Sequence, residues 1–373
     1  MITEKKNQHY IPKFFLRNFS YQNNKKQIGV FNINNELFIA RAKLKTQGSK
    51  NFFYGYDGEI EDNLADIEGK LAQIIKYIID KNEIPKKGTI EHLDLLHFVA
   101  LTDLRNPVRI EGMKDMLSEM KKSLLKLHPK TDTKKLIPEM THDEFVKLSL
   151  SNIPEIILNI SDLDFKLLIN KTQAPFIASD FPVVKYNQYL EQKKWAQSKS
   201  GYGLVGLQIF IPITSKITII FFDNAIYKVG NRKQKTVEIT EKDDIEQLNI
   251  LQFINCFENV FFNEEASEHY IKSVFEKSKK YKRANVAKSK LSYIVKKGED
   301  KEKILSGKKN LMIMNSTDCE IKLHINRIKI HSNGKSHKLN TSMAQLRKHP
   351  EKLKIREEAL KKAANKKYSA FGR

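Results

Sequence analysis

Only two cysteines, Cys256 and Cys319, stand in this chain of 373 residues. That scarcity excludes a disulfide scaffold and a cysteine-rich zinc site, and it fits a reducing compartment. No apolar run approaches the ~18–20 residues needed to span a bilayer, and the opening MITEKKNQHY has no apolar stretch of the export-signal kind. A cytoplasmic protein with no membrane contact is therefore expected. Internal repeats and Gly/Ser-rich linkers are missing as well; the charged stretch 296–309, KKGEDKEKILSGKK, is the best hinge candidate. The phosphate-loop string G-x-x-x-x-G-K-S/T, H-E-x-x-H and G-x-S-x-G do not occur, so the phosphate-loop, zinc-protease and serine-hydrolase signatures are absent.

What is abundant is apolar surface and positive charge. With 40% apolar residues, including 21 Phe and 13 Tyr, the chain can bury a large core. The net charge of +22 is unevenly distributed: residues 277–373 hold 28 Lys and Arg against 8 Asp and Glu, whereas the first 276 hold 38 against 36. Such a concentration attracts polyanions, with RNA or DNA the leading candidate, and the attraction should weaken steeply with salt. Lys279, Lys280, Lys282, Arg283, Arg327, Lys329, Arg347 and Lys348 are the expected nucleic-acid contacts; docking of an acidic protein partner is the plainer alternative. These counts suggest a body over 1–290 and a basic module or tail over 291–373.

Periodicity gives an α+β fold. Ile11, Phe15 and Phe19 form a helical stripe with Pro12 in its first turn, and QIGVFNINNELFIARA reads as a hairpin turning at Asn34-Asn35. Ile60, Leu64, Ile67, Leu71, Ile74 and Ile78 mark a long amphipathic helix from Asp57 to about Lys81. Another runs from Thr89 to about Arg105, stopping before Pro107, and further helices are expected at 109–126, 142–150 and 153–160. FKLLINKT, PFIASDFPVVKY, LVGLQIFIPIT and KITIIFFD predict a central antiparallel sheet. Helices at 243–261 and 265–280, a turn at Asn333-Gly334 and a Lys-rich helix near 343–366 complete the reading.

Several side chains could carry chemistry. His9 has the ordinary pKa of an acid, base or metal ligand, and otherwise a packing role at the first helix. Glu68 borders the buried stripe of its helix, so it can face a cleft. Arg105, at a helix end, could clamp a phosphate, pair with a carboxylate or bond the last helical carbonyls. Asp180 precedes a proline-fixed turn and could equally make an Asx-turn. Asp180 with Glu191-Gln192-Lys193 mimics a metal-nuclease spacing, weakly, since Glu-x-Lys recurs elsewhere in this Lys-rich chain. His92 and His97 are poorly spaced as ligands, and His97 reads as a core residue.

The string His9-Tyr10-Ile11-Pro12-Lys13-Phe14-Phe15-Leu16-Arg17-Asn18-Phe19 resembles the signature of a bacterial domain of unknown function that begins H-Y-I/V-P-x-F/Y-x-L-R/K-x-F/W. Later landmarks resemble it in the same order: the acidic helix around Glu59, Glu61 and Glu68, the Arg105-Asn106-Pro107 corner, and Ser179-Asp180-Phe181-Pro182-Val183. Where the family pattern carries Asn between Asp and Pro, this chain has Phe181. The resemblance spans roughly 7–275 and implies a shared fold and site, with a link to defence or toxin proteins. The combined expectation is a nucleic-acid-directed enzyme, a phosphodiester-cleaving nuclease using His9, Tyr10, Glu68, Arg105 and Asp180. In one version Glu68 and Asp180 hold Mg²⁺; in the other His9 is a metal-free general base and Arg105 stabilises phosphorane charge. The rival is a non-enzymatic module that binds RNA, DNA or a ribonucleoprotein.

Overall fold

Ile11, Phe15 and Phe19 are all fully buried, as their spacing requires, yet the helix between them is short, α1 (Lys13–Arg17). It follows a strand, β1 (Asn7–His9), and Pro12 caps it. The computed structural model describes residues 6–56, 59–127, 129, 132, 137, 139–284, 289–293, 311–315, 318–339 and 345–347. The predicted hairpin is β2 (Gln27–Asn32) and β3 (Leu37–Lys43). Asn32 Oδ1 accepts from the main-chain N–H of Asn34 and Asn35, tightening the turn. β4 (Ser49–Asn51) then pairs with β1, setting His9 opposite Ser49.

The helical layer follows the sequence pattern closely. α2 (Glu59–Lys81) buries Ile60, Leu64, Leu71, Ile74 and Ile78. α3 (Ile90–Leu104) is capped by Thr89, and α4 (Pro107–Leu127) starts with its proline at the first helical position, where a missing N–H costs nothing. α5 (His142–Leu150) begins in a Thr141/Glu144 capping box, and α6 (Ile153–Ile160) follows. His92 rather than His97 is the buried α3 histidine, stacked on Phe165; Leu93 points outward and His97 is half-buried.

A five-stranded sheet lies beneath. β5 (Asp164–Asn170), β7 (Val184–Tyr186), β8 (Gln208–Pro212), β9 (Ile217–Phe222) and β11 (Thr236–Ile239) run in the order β11-β5-β9-β8-β7. It is mixed rather than wholly antiparallel, because β11 joins β5 in parallel. Every residue of β9 is buried, so ITIIFF is a continuous apolar run with both faces covered. Ile219 and Phe221 enter one core with α2, α3 and α6; Ile220 and Phe222 enter a second core on the other face.

That second core holds α8 (Lys242–Asn255), α9 (Glu268–Lys279) and a four-stranded sheet, β3-β2-β12-β6, in which β6 is Ala178–Ser179 and β12 Asn259–Phe262. The helix expected over 243–261 thus ends at Asn255, and its last residues form β12. The reason is a contact distant in sequence: both carboxylate oxygens of Asp180 capture the N–H groups of Phe257, Glu258 and Asn259. Residues 188–192 form α7 (Gln188–Gln192), whose Tyr189 and Leu190 are buried.

Beyond the boundary expected at 290, Cys319, Ile321, Leu323, Ile325 and Ile328 are buried in the second core. β15 (Ile328–Ile330) pairs with β10 (Tyr227–Val229), and Leu346 bridges Leu204. The Asn333-Gly334 turn is a five-residue helix, α10 (Ser332–Ser336). β13 (Ser289–Tyr293) and β14 (Leu311–Asn315) pair as a separate two-stranded antiparallel sheet. The hinge candidate and nearly all of the Lys-rich helix expected near 343–366 lie outside the described residues.

Candidate functional site

β1 fixes His9 through its neighbours. Gln8 accepts from Tyr54 N–H at 2.5 Å and donates to the Gly55 carbonyl at 2.9 Å, while Tyr54 O–H donates to the His9 carbonyl at 2.9 Å. The N–H groups of Tyr10 and Ile11 both reach the Gly48 carbonyl. Gly48 has φ +59°, and a Cβ there would lie 2.9 Å from Ile11 Cβ, so only glycine suits this crossing.

His9 Nε2 lies 3.1 Å from the Lys45 carbonyl. A carbonyl only accepts, so this nitrogen carries the proton and Nδ1 keeps a lone pair, with no hydrogen-bond partner among the described residues. Burial, then Lys13, and more weakly Arg105, push the imidazole down to about 4 against the raising effect of the Lys45 carbonyl.

Arg105 is fully buried where α3 ends. Its Nη1 donates to Glu68 Oε1 at 2.6 Å, and Glu68 is half-buried on α2. Nε and Nη2, the edge that grips a carboxylate or phosphate bidentately, have no hydrogen-bond partner among the described residues. Tyr54 lies near enough to help raise the Arg105 pKa, though its hydroxyl meets hydrogen-bond geometry toward the His9 carbonyl. A second arginine shows the same edge in use: Arg109 Nε and Nη2 each hold an oxygen of fully buried Asp103 at 2.9 Å. Burial pushes the Asp103 carboxyl up, but Arg109 and then Lys185 bring it below the usual carboxylate range.

The five expected catalytic residues divide into two groups. His9, Glu68 and Arg105 come together around Tyr54. Tyr10 packs on Phe53, and its hydroxyl is pushed up by burial and by the charge of Asp180. Asp180 is fully buried; burial pushes it up to about 6 against the pull of its three main-chain N–H donors. Asn106, the residue after Arg105, donates to the Asp180 carbonyl at 2.6 Å. Mg²⁺ held by Glu68 and Asp180 fits poorly: the Asp180 oxygens serve the 257–259 main chain and Glu68 serves Arg105. Among the described residues no group of three or more His, Cys, Asp or Glu could hold a metal ion. Glu191 accepts from Tyr186 O–H and from Lys322 N–H, a latch between α7 and the 318–339 segment rather than a partner of Asp180.

The expected nucleic-acid contacts also separate. Lys279 pairs with Glu36 and Glu276, and Arg283 donates to the carbonyls of Cys256 and Phe257. Arg347 is buried against Asp162 and the Leu204 and Tyr202 carbonyls, so its guanidinium has no reach outward. Lys280 lies over the Tyr281 ring; Lys282, Arg327 and Lys329 are exposed, and Lys348 lies outside the described residues. Sequence reasoning missed Tyr54, Asp103 and Arg109. An aspartate inside the apolar run LLHFVALTDLR was the available signal, because such a group needs a buried cation; Tyr54, in a turn, gave none.

The fold and site define an α+β protein with a buried histidine–glutamate–arginine cluster between its first strand and helical layer. The family model for a protein of unknown function, DUF4238, matches residues 7–266, and the chain belongs to that family. No curated protein and no solved structure matches the chain. No helix among the described residues is long and apolar enough to cross a membrane.

Proposed function

We propose that this protein is a cytoplasmic, nucleic-acid-directed phosphodiesterase of bacterial defence or toxin type, working at the His9–Tyr54–Glu68–Arg105 cluster without a Glu68–Asp180 metal pair. The observation that carries the reading is the buried Arg105 with its two-donor edge unpartnered, in the same cluster as His9, whose Nδ1 is likewise unpartnered among the described residues. Inside the same protein, Asp103 fills the equivalent edge of Arg109. A phosphodiester supplies the acceptor oxygens that such a fork takes bidentately.

In this reading Arg105 binds two phosphate oxygens and stabilises the charge that grows on them as an oxygen nucleophile attacks phosphorus. His9 Nδ1 takes the nucleophile's proton, the leaving P–O bond breaks, and the leaving oxygen recovers a proton from the imidazolium. Glu68 holds the guanidinium from Nη1, so Arg105 does not swing. Because the His9 pKa is depressed to about 4, its lone pair is free at any higher pH. The acid limb of the rate should therefore fall near 4 rather than near 6.5.

Incubating the protein with labelled RNA and DNA, with and without chelator, tests this. Cleavage should survive chelator and drop by roughly 10²–10⁴ in His9→Ala, and Arg105→Lys should lose it as well. Chelator-sensitive cleavage, or full activity in His9→Ala, would rule the mechanism out. The full burial of Arg105 favours the second reading, a non-enzymatic binding module, and that reading predicts binding with no cleavage in any variant.

A further inference from the structure

We infer that the face made by β10, the 230–235 loop and β15 grips the phosphates of a nucleic-acid strand; this deepens the nucleic-acid reading above and rests on it. β10 and β15 run antiparallel with Lys228 directly opposite Lys329, both exposed; Tyr227, Val229 and Ile328 beside them are buried and Ile330 is half-buried. Like charges in that position repel, and a bound polyanion relieves the repulsion. Arg232, Lys233 and Lys235 follow on the loop, and Arg327 precedes β15; all are exposed. Among the described residues none of these six cations has a carboxylate in ion-pair contact, whereas Lys171, Lys216 and Lys272 each do.

The loop is held in shape rather than left free. Gly230 sits at φ +54°, where a Cβ would meet Val237 Cγ2 at 2.7 Å, and its N–H donates to the Arg327 carbonyl at 2.8 Å. From below, the buried ammonium of Lys166 donates to the Val229 and Asn231 carbonyls. Two cavities open here and share Lys228 and Arg232. One, of about 670 Å³, is lined by these two with Gly230 and Asn231; the other, of about 430 Å³, reaches Lys166 and Lys235. The acid at its rim, Asp164, already serves Lys87 and Asn224. No large exposed hydrophobic residue belongs to this face, which argues against a membrane or an apolar protein partner. A row of cations without carboxylate partners, on a loop held in shape, suits a phosphate backbone.

Fluorescence anisotropy of a short labelled RNA, titrated against salt, tests the inference with Lys228→Ala/Arg232→Ala/Lys235→Ala and, separately, Lys329→Ala on the facing strand. The triple variant should bind roughly tenfold or more weakly and with a log–log salt slope shallower by about 2, at ~0.7 per lost single-strand phosphate contact. Lys272→Ala is the control and should bind as wild type. If the triple variant melts like wild type and binds within about twofold of it, the inference is overturned. The same holds if inorganic phosphate or a mononucleotide binds this face and the strand does not. His9→Ala separates the two claims: should it cleave as wild type while the triple variant loses binding, the reaction is wrong and the face stands. The reverse pattern sinks the face and leaves the reaction.

Discussion

Asp103 and Arg105, two residues apart at the end of α3, meet burial in opposite ways. Asp103 has a cation on both oxygens; Arg105 has an anion on one nitrogen of three. Breaking the first pair should be costly, since a buried carboxylate left alone keeps its full desolvation penalty. Arg109→Met should lower unfolding free energy by about 3–5 kcal/mol in urea titrations. Asp103→Asn with Arg109→Met should cost clearly less than the two single changes added together. Additive losses would mean that the two side chains do not act as a pair.

Histidines give the residue scale its pH dependence. Burial, then Lys87, pushes His92 down to about 4, and its ring stacks on Phe165 with centroids 4.7 Å apart. The unfolded chain takes up a proton on this group near 6.5, whereas the folded chain does so only near 4. Between those values the unfolded state binds more protons, so stability falls as pH drops from about 6.5 to 4 and is regained on raising it. His9 adds a change of the same sign. Thermal melting of His92→Phe, which keeps an aromatic ring, should show a shallower decline over that window than wild type. An unchanged slope would remove His92 from the account.

At the scale of elements, Asp180 matters through the main chain it organises. Its carboxylate ends a helix and starts a strand by holding three successive N–H groups, and Asn255 on α8 returns a bond to the Phe181 carbonyl at 2.6 Å. Asp180→Ala should cost about 3–5 kcal/mol, because buried N–H groups lose charge-assisted partners. Asp180→Asn should lower the melting temperature while leaving any cleavage rate unchanged; a variant stable as wild type but inactive would return Asp180 to the chemistry. Helices were readable in the sequence wherever an apolar stripe had one buried face, as along α2, or where a proline marked an end, as at α4. β12 was not readable, since VFF continues the apolar texture of α8 and only a residue some 75 positions earlier interrupts it. The parallel β5–β11 pair was hidden for the same reason: strand direction depends on the connection and leaves no mark in a four-residue run. Within the site, Glu68 was legible from its place beside the stripe, whereas the separation of His9 from Asp180 depends on long-range contacts that no local pattern encodes.

For the whole molecule, the uneven charge suggested a body over 1–290 with a distinct basic module or tail over 291–373. The packing argues otherwise. Ile321, Leu323, Ile325 and Ile328 are each 5% exposed or less and sit in the second core with Tyr227, Ile226 and Leu248. Tyr186 O–H takes up the Leu323 N–H, and Arg347 is buried against Asp162. At about 1.5–3 kcal/mol for each fully buried aliphatic side chain, four of them contribute roughly as much as the whole net stability of about 5–15 kcal/mol for a typical domain. A chain ending at 290 should therefore be insoluble or unfolded by circular dichroism. It should not be a folded body with weaker nucleic-acid binding. A chain ending at 347 retains every buried contact named above and should melt cooperatively. If the chain ending at 290 instead melted like the full-length protein, the 318–339 segment would be a dispensable cover, and charge and core would be as separable as the sequence suggested.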